Sequence, residues 1–248
     1  MQKRKFKVTE NYWMSVSDMM SALMIIFLFI AIAFMIKVQQ QQDAMNHLII
    51  DYRDVKVNIY NDLYNEFKND FSKWDAEIDP QTLSIRFQEP DVLFEAGSKE
   101  INPKFKSILD DFFPRYIAIL SQKYGDDIQE IRIEGHTSSE WNDQHGTMDA
   151  YFKNMELSQA RTRTVLEYTI TLPAVTNQQE WLIEKITANG LSYSQRIKEN
   201  GVENPDKSRR VEFRIRTKAE DTMDEKYGGN IPSRTYWGKK YHGGYSDH

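Results

Sequence analysis

The chain has 248 residues, a formal net charge of -5 and no cysteine. The absence of cysteine excludes disulfides, thiolate metal sites, a cysteine nucleophile and the acylated cysteine of a lipoprotein. A mildly acidic balance argues against a general nucleic-acid binder, so no direct nucleic-acid partner is expected. After a membrane segment and a tail are set aside, the length suits one compact domain.

An apolar run near the N-terminus predicts a transmembrane helix over residues 12–37. Within residues 19–36 the only residue that is not apolar is Ser21. With the flanking turn, this run is long enough to cross the hydrocarbon core of about 30 Å. The preceding tail carries four basic residues, Lys3, Arg4, Lys5 and Lys7. This bias predicts a cytoplasmic N-terminal tail over residues 1–11 and places the rest of the chain outside the cytoplasm.

A cleaved signal peptide is the alternative to a membrane anchor, because residues 31–33 (AIA) resemble a cleavage site. The apolar run continues through residues 34–36, which favours an anchor that is not cleaved. Tyr12 and Trp13 lie where aromatic residues mark the membrane interface.

Asp18 lies at the start of this apolar run, and two interpretations are open. Ser15 and Asp18 have a spacing similar to a capping box, and the helix dipole favours a carboxylate in a first turn. Alternatively, Asp18 lies about 7 Å deeper than Trp13 at helical rise, where an ionisable residue is usually functional. Ser21, one turn further on, is placed to hydrogen-bond a protonated or cation-bound carboxylate.

Residues 17–21 (SDMMS) and the apolar run behind them resemble the transmembrane helix of stator B subunits, the family of the flagellar MotB and PomB proteins. The resemblance implies that Asp18, with Ser21 beside it, carries a translocated ion, H⁺ or alternatively Na⁺, and that no other cofactor is needed. It implies a multi-helix A subunit, similar to MotA or ZorA, that forms a closed ring around a B homodimer in a ratio of about 5:2. The implied location is the bacterial inner membrane, spanned once, with the N-terminus in the cytoplasm and the C-terminal domain in the periplasm.

Residues 38–75 predict a helical, coiled-coil-like linker. Its apolar residues are spaced by three and then four, at Met45, Leu48, Tyr52, Val55 and Ile59. Such a heptad seam predicts a parallel homodimer. The alternative is an amphipathic helix that packs on the chain's own domain.

Residues 76–217 predict an α/β domain with one helix-covered sheet, because helical patterns separate the strand patterns. Four strand patterns are centred on Ile85, Ile131, Ile183 and Phe213. The third of these comprises Trp181, Ile183 and Ile186. Two helical patterns cover residues 105–120, opened by Pro103 and ended by Gly125, and residues 157–168. Pro114 is expected to bend the first helix or split it. Residues 218–248 are rich in Gly, Tyr and charge and predict a flexible tail.

Four segments of this domain resemble the OmpA-like peptidoglycan-binding family: residues 94–98 (FEAGS), 135–137 (GHT), 154–161 (NMELSQAR) and 208–212 (SRRVE). The resemblance implies a β-α-β-α-β-β order and a groove that binds the stem peptide of peptidoglycan. The complete fold class is therefore a single N-terminal transmembrane helix followed by an OmpA-like α/β domain. The implied binding residues are His136, Thr137, Ser138, Asn154, Leu157, Ser158, Arg161 and Arg210.

The chemistry of these residues suits a peptide with carboxylates and amides. Arg161 on a helix can bind a carboxylate through two parallel hydrogen bonds. Asn154 and Ser158 lie four residues apart, which predicts a polar rim on one helix face. Arg209 and Arg210 are adjacent in a predicted strand, so only one of them is expected to face the groove. The alternative is that these arginines are solvated or pair with neighbouring acidic residues.

One position departs from the family pattern. Ser138 stands where the family usually has an Asp that meets the ligand's ammonium group, and the loop that follows is longer than usual. Glu140, two residues further on, is the candidate replacement. His136 and His145 lack a carboxylate at ligand spacing in the sequence, so no metal site is expected.

The short linker, the altered loop and the added tail resemble the stator-like B subunit of the Zorya anti-phage defence system more than flagellar MotB. This resemblance implies a motor that acts in defence. A flagellar or gliding stator is the first alternative, and a passive wall-anchored scaffold is the second. No nucleophile–base pair stands out, so an enzyme is not expected.

Overall fold

The structure, a computed structural model, describes residues 4–88, 93–95, 97–141 and 144–227. Residues 1–3 of the predicted cytoplasmic tail, Ala96 and residues 228–248 of the predicted C-terminal tail lie outside the described residues. The chain divides into two compact units, Met1–Ile50 and Asp51–His248.

The helices of the described residues are α1 (Arg4–Phe67), α2 (Phe71–Trp74), α3 (Pro103–Tyr124), α4 (Met148–Ile170), α5 (Gln179–Lys185), α6 (Pro205–Ser208) and α7 (Lys218–Tyr227). A 3₁₀ helix covers Pro173–Gln178. The strands are β1 (Ala76–Asp79), β2 (Ser84–Phe87), β3 (Ile128–His136), β4 (Glu140–Trp141), β5 (Gln144–His145), β6 (Ile186–Gly190), β7 (Lys198–Glu199), β8 (Val202–Glu203) and β9 (Arg210–Thr217).

The first unit consists of α1 as far as Ile50. The span Trp13–Phe67 contains a stretch with a mean hydropathy of 2.8, of which none is buried, and by length and composition it can cross a membrane. Asp18 lies inside α1, well beyond the first turn, because the helix begins at Arg4. The interpretation of Asp18 as a helix cap is therefore wrong.

The second unit is built on a five-stranded sheet in the order β1-β2-β9-β3-β6. Strands β3 and β6 pair in parallel, and the other neighbouring strands pair antiparallel. The succession β2-α3-β3-α4-β6-β9 reproduces the predicted β-α-β-α-β-β order. Strand β1, which extends the sheet beside β2, was not predicted.

Apolar side chains fill the space between one face of the sheet and the helices. The Phe213 ring of β9 lies 5.9 Å from the ring of Phe87 and 5.1 Å from the ring of Phe112, measured between centroids. Helix α4 approaches the sheet closely, because a Cβ on Gly190 would lie 2.2 Å from the backbone nitrogen of Gln159. This contact places the α4 side chains directly at the end of the sheet.

The last turns of α1 belong to the core of the second unit. Ile59, Leu63 and Phe67 are fully buried there, and the ring centroids of Phe67 and Phe112 lie 5.2 Å apart. For Ile59 this confirms the alternative interpretation, in which the linker helix packs on its own domain. The homodimer stays a prediction.

The prediction of a third strand at Trp181, Ile183 and Ile186 was wrong over most of its length. Residues Gln179–Lys185 form helix α5, and the strand begins only at Ile186. Leu182 is fully buried while Ile183 is 68% exposed, so the buried side chains do not alternate as a strand requires.

Two further expectations are narrowed by the structure. Of the two outcomes expected for Pro114, a split helix is wrong, because α3 continues from Pro103 to Tyr124, and a bend stays a prediction. The start of the predicted flexible tail forms α7, whose Glu220 lies 3.6 Å from Arg214 of β9. An ion pair between Asp221 and Arg216 adds a second connection between α7 and β9.

Candidate functional site

A narrow pocket lies where the C-terminal end of β3, helix α4 and the start of β9 meet. Its lining residues are Leu93, Phe94, Gly135, His136, Ser158, Arg161, Arg209, Arg210 and Val211. The free volume is about 10 Å³, which is room for about one water molecule. The pocket therefore combines three arginines with a histidine in a narrow space.

Arg161 is held by backbone carbonyls rather than by an anion. Its Nε donates to the Ser98 carbonyl at 2.8 Å and an Nη donates to the Glu95 carbonyl at 3.3 Å. The guanidinium also lies 4.7 Å from the Phe94 ring centroid. Burial and the neighbouring charge of Arg209 lower the pKa of Arg161 to about 10. Among the described residues no carboxylate pairs with Arg161, so this guanidinium is a partly buried cation without a counterion.

Two residues of the predicted site carry buried polar atoms without a hydrogen-bond partner. These atoms are Nδ1 and Nε2 of His136 and Oγ1 of Thr137. The Nε2 atom lies 3.7 Å from Glu134 Oε2 and 3.9 Å from Glu212 Oε1, beyond hydrogen-bond distance. Both residues are about 4% exposed. Burial lowers the pKa of His136 below its usual value. Buried polar groups are normally satisfied, so these atoms indicate where a bound group can supply the missing partners.

Glu134, Arg210 and Glu212 form a buried charged network beside His136. Arg210 Nε donates to Glu212 Oε1 at 2.6 Å, and Arg86 Nε donates to the same oxygen at 3.0 Å. Burial alone would raise the pKa of Glu212, but Arg210 and Arg86 hold it below its ordinary value. Burial lowers the pKa of Arg210 in spite of this pairing.

The structure brings two carboxylates close to His136 that spacing in the sequence did not indicate. Glu134, His136 and Glu212 bring one potential ligand atom each to within 4.8 Å of one another. Arg86 and Arg210 both pair with Glu212, whereas Glu134 lies 3.7 Å from His136 Nε2. The expectation that the chain uses no metal stays a prediction.

Asn154 and Ser158 do not form an exposed rim, because both are buried in the domain. Ser158 Oγ donates to the Met155 carbonyl at 3.0 Å and accepts from the Ser192 backbone N–H at 3.1 Å. Asn154 Nδ2 donates to the Glu140 carbonyl at 3.1 Å. These two side chains therefore position loops around the pocket.

Leu157 and Ser138 lie near the pocket but do not line it. Leu157 is half-buried on α4, and Ser138 is 3% exposed. The Ser138 hydroxyl lies 3.5 Å from both Glu140 Oε2 and an Nη of Arg209. Ser138 thus belongs to a polar cluster at the rim of the pocket.

Arg209 and Arg210 both line the pocket, so the expectation that only one of them would face it was wrong. Strand β9 begins at Arg210, and Arg209 is the residue that follows the short helix α6. The strict alternation of a strand therefore does not apply between them.

Ser192 is a positioning residue that the sequence did not reveal. It is fully buried with a φ of 51°, in the left-handed region that a serine rarely adopts. Its Oγ donates to the Tyr151 carbonyl at 2.9 Å, and its carbonyl accepts from the Thr137 N–H at 2.9 Å. Together with the bond to Ser158, these contacts connect the loop after β6 to β3 and α4. No local pattern around Ser192 could have identified it.

In the predicted membrane segment, Asp18 is exposed on α1. The hydroxyl of Ser21 donates to the Ser17 carbonyl at 2.9 Å. Ser21 therefore satisfies its donor within the helix, and its predicted hydrogen bond to the Asp18 carboxylate stays a prediction.

The sheet, its two covering helices and the pocket at the end of β3 define an OmpA-like domain. The family described as "OmpA family" matches residues 93–210. The Zorya protein ZorB from Escherichia coli (strain Crooks) is 47% identical over 211 residues, which cover 85% of this chain and 89% of that relative. The chain belongs to the ZorB family.

Solved structures of low sequence identity are also similar to the chain. A MotB-like protein from Desulfovibrio vulgaris is 22% identical, with a TM-score of 0.48, over 66% of this chain and 96% of that one. The cell wall anchor of the T6SS from Pseudomonas aeruginosa is 21% identical, with a TM-score of 0.43, over 62% of this chain and 96% of that one.

Proposed function

We propose that the chain is the B subunit of an ion-driven rotary motor in the bacterial inner membrane, anchored to peptidoglycan and acting in anti-phage defence. The observation that carries the wall-binding part is the pocket around Arg161. It presents a guanidinium whose contacts in the described chain are two carbonyls and one ring, and its lining includes His136, whose ring nitrogens lack a hydrogen-bond partner among the described residues.

The stem peptide of peptidoglycan supplies what this pocket lacks. A carboxylate binds a guanidinium through charge-assisted hydrogen bonds, which are roughly twice as strong as neutral ones. The pocket has a free volume of about 10 Å³, so a carboxylate enters only when Arg161 releases the Glu95 and Ser98 carbonyls. On ligand binding, Arg161 therefore replaces its hydrogen bonds to two neutral carbonyls with stronger bonds to a carboxylate.

Sedimentation with isolated sacculi tests wall binding. The full-length protein in detergent is expected to sediment with intact sacculi and to be released by an excess of soluble stem tripeptide, but not by peptide-free glycan strands from an amidase digest. Release by the glycan strands and not by the tripeptide would locate binding on the glycan and contradict stem-peptide recognition.

The motor part of the proposal rests on Asp18 and on the family. A single helix with one carboxylate needs a polar path from other helices, so the proposal includes a multi-helix A subunit in a ring around a B dimer. Translocation of one charge across 100 mV supplies about 2.3 kcal/mol. Protonation of Asp18 neutralises it and changes how α1 contacts the ring, and anchoring to the wall allows the ring to turn against a fixed axis.

Asp18→Asn tests this part, with Asp43→Asn as the matched control on the same helix. Asp18→Asn is expected to abolish protection against phage while membrane level and sacculus binding are unchanged, and Asp43→Asn is expected to protect normally. Full protection by Asp18→Asn would favour a passive scaffold. Loss of swimming or gliding, with no effect on phage plaques, would favour a locomotion motor.

A further inference from the structure

An exposed apolar surface lies at the N-terminal end of α4. Met148 and Phe152 lie four residues apart, on the same face of that helix. Both side chains are apolar, yet their exposed fractions are 73% and 61%. Single exposed apolar side chains are normal on protein surfaces, whereas adjoining ones mark contact sites more often.

Aromatic rings extend this surface and hold it in place. The centroid of the Phe152 ring lies 5.7 Å from that of Tyr151, which in turn lies 5.3 Å from that of Tyr193, both pairs edge to face. The Tyr193 hydroxyl donates to the Thr147 carbonyl at 2.8 Å. The Arg196 guanidinium lies 5.5 Å from the centroid of the Tyr193 ring. The aromatic ladder comprises Met148, Tyr151, Phe152, Tyr193 and Arg196.

Ser192 connects the aromatic ladder to the pocket. Its Oγ donates to the Tyr151 carbonyl at 2.9 Å. Its backbone N–H donates at 3.1 Å to Oγ of Ser158, which lines the pocket. Tyr151 and Ser158 are seven residues apart on α4, so they share one face of the helix at a separation of about 10 Å. The ladder therefore begins two helical turns from the pocket.

A glycan strand has the chemistry that suits exposed aromatic rings beside a peptide-binding pocket. One face of a sugar ring carries C–H groups, which are attracted to the electron-rich face of an aromatic ring, while the sugar hydroxyls stay in water. In peptidoglycan the stem peptide is attached to a sugar through its N-terminus. An extended tripeptide spans at most about 11 Å, so a peptide whose carboxylate end lies in the pocket brings its sugar within reach of the ladder.

We propose that the aromatic ladder binds the amino sugar that carries the stem peptide, and that Phe152 provides the ring on which this sugar packs. The inference rests on the proposed wall binding and adds a glycan contact outside the pocket. The ladder is a weak site by itself. Its contribution arises when the bound peptide holds the sugar close, because a tether raises the effective concentration of the second contact.

Two soluble ligands test the inference: the stem tripeptide, and the same tripeptide attached to its disaccharide. Affinities are measured by calorimetry with the full-length protein in detergent. The wild type is expected to bind the disaccharide-tripeptide about fivefold more tightly than the tripeptide. Phe152→Ala is expected to lose this preference and to bind the tripeptide as the wild type does. Ile183→Ala is the matched control, because Ile183 is 68% exposed on a different helix, α5, and it is expected to keep the preference.

Two further substitutions distinguish a flat ring from apolar area alone. Phe152→Tyr keeps the ring and is expected to keep the preference for the disaccharide-tripeptide. Phe152→Leu keeps an apolar side chain without a flat face and is expected to lose most of the preference. A Phe152→Leu protein with the full preference would overturn the packing of a sugar on this ring.

Three other results would overturn the inference and leave stem-peptide binding standing. The first is a wild type that binds both ligands equally. The second is a Phe152→Ala protein that keeps the preference or weakens both ligands by the same factor. The third is a change in the number of subunits in Phe152→Ala, measured by light scattering, which would assign the ladder to contacts between copies of the chain. A wild type that binds neither ligand overturns both proposals.

Discussion

The guanidinium of Arg115 lies 4.8 Å from the centroid of the Phe67 ring, so α3 covers the last turn of α1. Arg115 also pairs with Glu66 at 2.7 Å and with Asp70 at 3.1 Å. Packing on Phe67 and ion pairs with Glu66 and Asp70 therefore both connect Arg115 of α3 to the end of α1. Under the proposed motor function, this joint resists force applied to the domain through α1.

Replacement of Arg115 is expected to destabilise the domain. Arg115→Ala removes the contact with Phe67 and the ion pairs of a side chain that is 31% exposed, for a loss of about 1–2 kcal/mol. Arg163→Ala is the control, because that side chain is 77% exposed and pairs only along α4, and its cost is expected to be below about 0.5 kcal/mol. Urea unfolding of the full chain in detergent, followed by tryptophan fluorescence, measures both. Equal losses would contradict the joint.

Gly190 is expected to tolerate no larger residue, because α4 lies directly on it. The Cβ of Gly190→Ala would lie 2.2 Å from the Gln159 nitrogen and 2.6 Å from its Cα. Backbone atoms cannot rotate away, so the cost is expected to be about 3 kcal/mol. Gly146→Ala has open space and only a positive φ of 65° to oppose it, which costs about 1 kcal/mol. Urea unfolding measures the loss of stability in both variants. A loss for Gly190→Ala no greater than the loss for Gly146→Ala would contradict the close approach of α4 to Gly190.

Two substitutions of Ser192 distinguish the cost of its strained backbone from the contribution of its hydroxyl hydrogen bond. Ser192→Ala and Ser192→Gly both lose the hydroxyl bond to the Tyr151 carbonyl, but only glycine relieves the φ of 51°. Ser192→Gly is therefore expected to be more stable than Ser192→Ala by about 1 kcal/mol. If alanine proved as stable as glycine, the strained backbone would have no energetic weight.

His136 predicts a loss of stability in acid. Burial holds its pKa below the model-compound value of 6.5, so below that pH the unfolded chain binds a proton that the folded domain does not. Stability contributed by the neutral imidazole is thus fully present above pH 6.5 and is lost as the pH falls from there through the lower pKa of the folded state. The slope due to His136 is expected to reach at most about 1.4 kcal/mol per pH unit.

His136→Asn removes this titration. Urea unfolding of the wild type and the variant between pH 7.5 and about 5.5 is expected to show a shallower decline for the variant. Arg210 and Arg86 hold the pKa of Glu212 below its ordinary value, so Glu212 becomes protonated only at lower pH. It therefore does not contribute to the decline in this range. Parallel declines would mean that another group senses the acid.

Much of the domain could be predicted from local patterns. The alternation of Leu83, Ile85 and Phe87 marks β2, and Val211, Phe213 and Ile215 mark β9. Pro103 begins α3 as expected, with the Asn102 side chain accepting from the Lys104 N–H as its N-cap. These features depend on neighbours within a few residues, so periodicity was sufficient to detect them.

The predictions of secondary structure that were wrong lie where contacts between distant residues determine the local structure. Trp181 and Ile183 suggested a strand, but in α5 only Leu182 is fully buried. Pro114 lies on a partly exposed side of α3 next to the buried rings of Phe112 and Phe113, whose packing holds the helix through the missing N–H.

The pocket was predictable only in part. Motif resemblance indicated Arg161 and His136, but the partners of Arg161 are carbonyls more than sixty residues away in the chain. The roles of Ser192 and Arg209 likewise follow from contacts between separate loops. Such contacts leave no periodic signal in a single sequence.

The affinity of Arg161 variants for a soluble stem tripeptide tests the central claim most directly. Calorimetry on the full-length protein in detergent compares the wild type with Arg161→Gln and with Arg163→Gln on the exposed side of the same helix. Loss of a charged hydrogen-bond donor predicts binding at least about tenfold weaker for Arg161→Gln, and binding equal to the wild type for Arg163→Gln. Wild-type affinity in Arg161→Gln would show that the buried guanidinium does not bind the peptide's carboxylate, and would contradict the account.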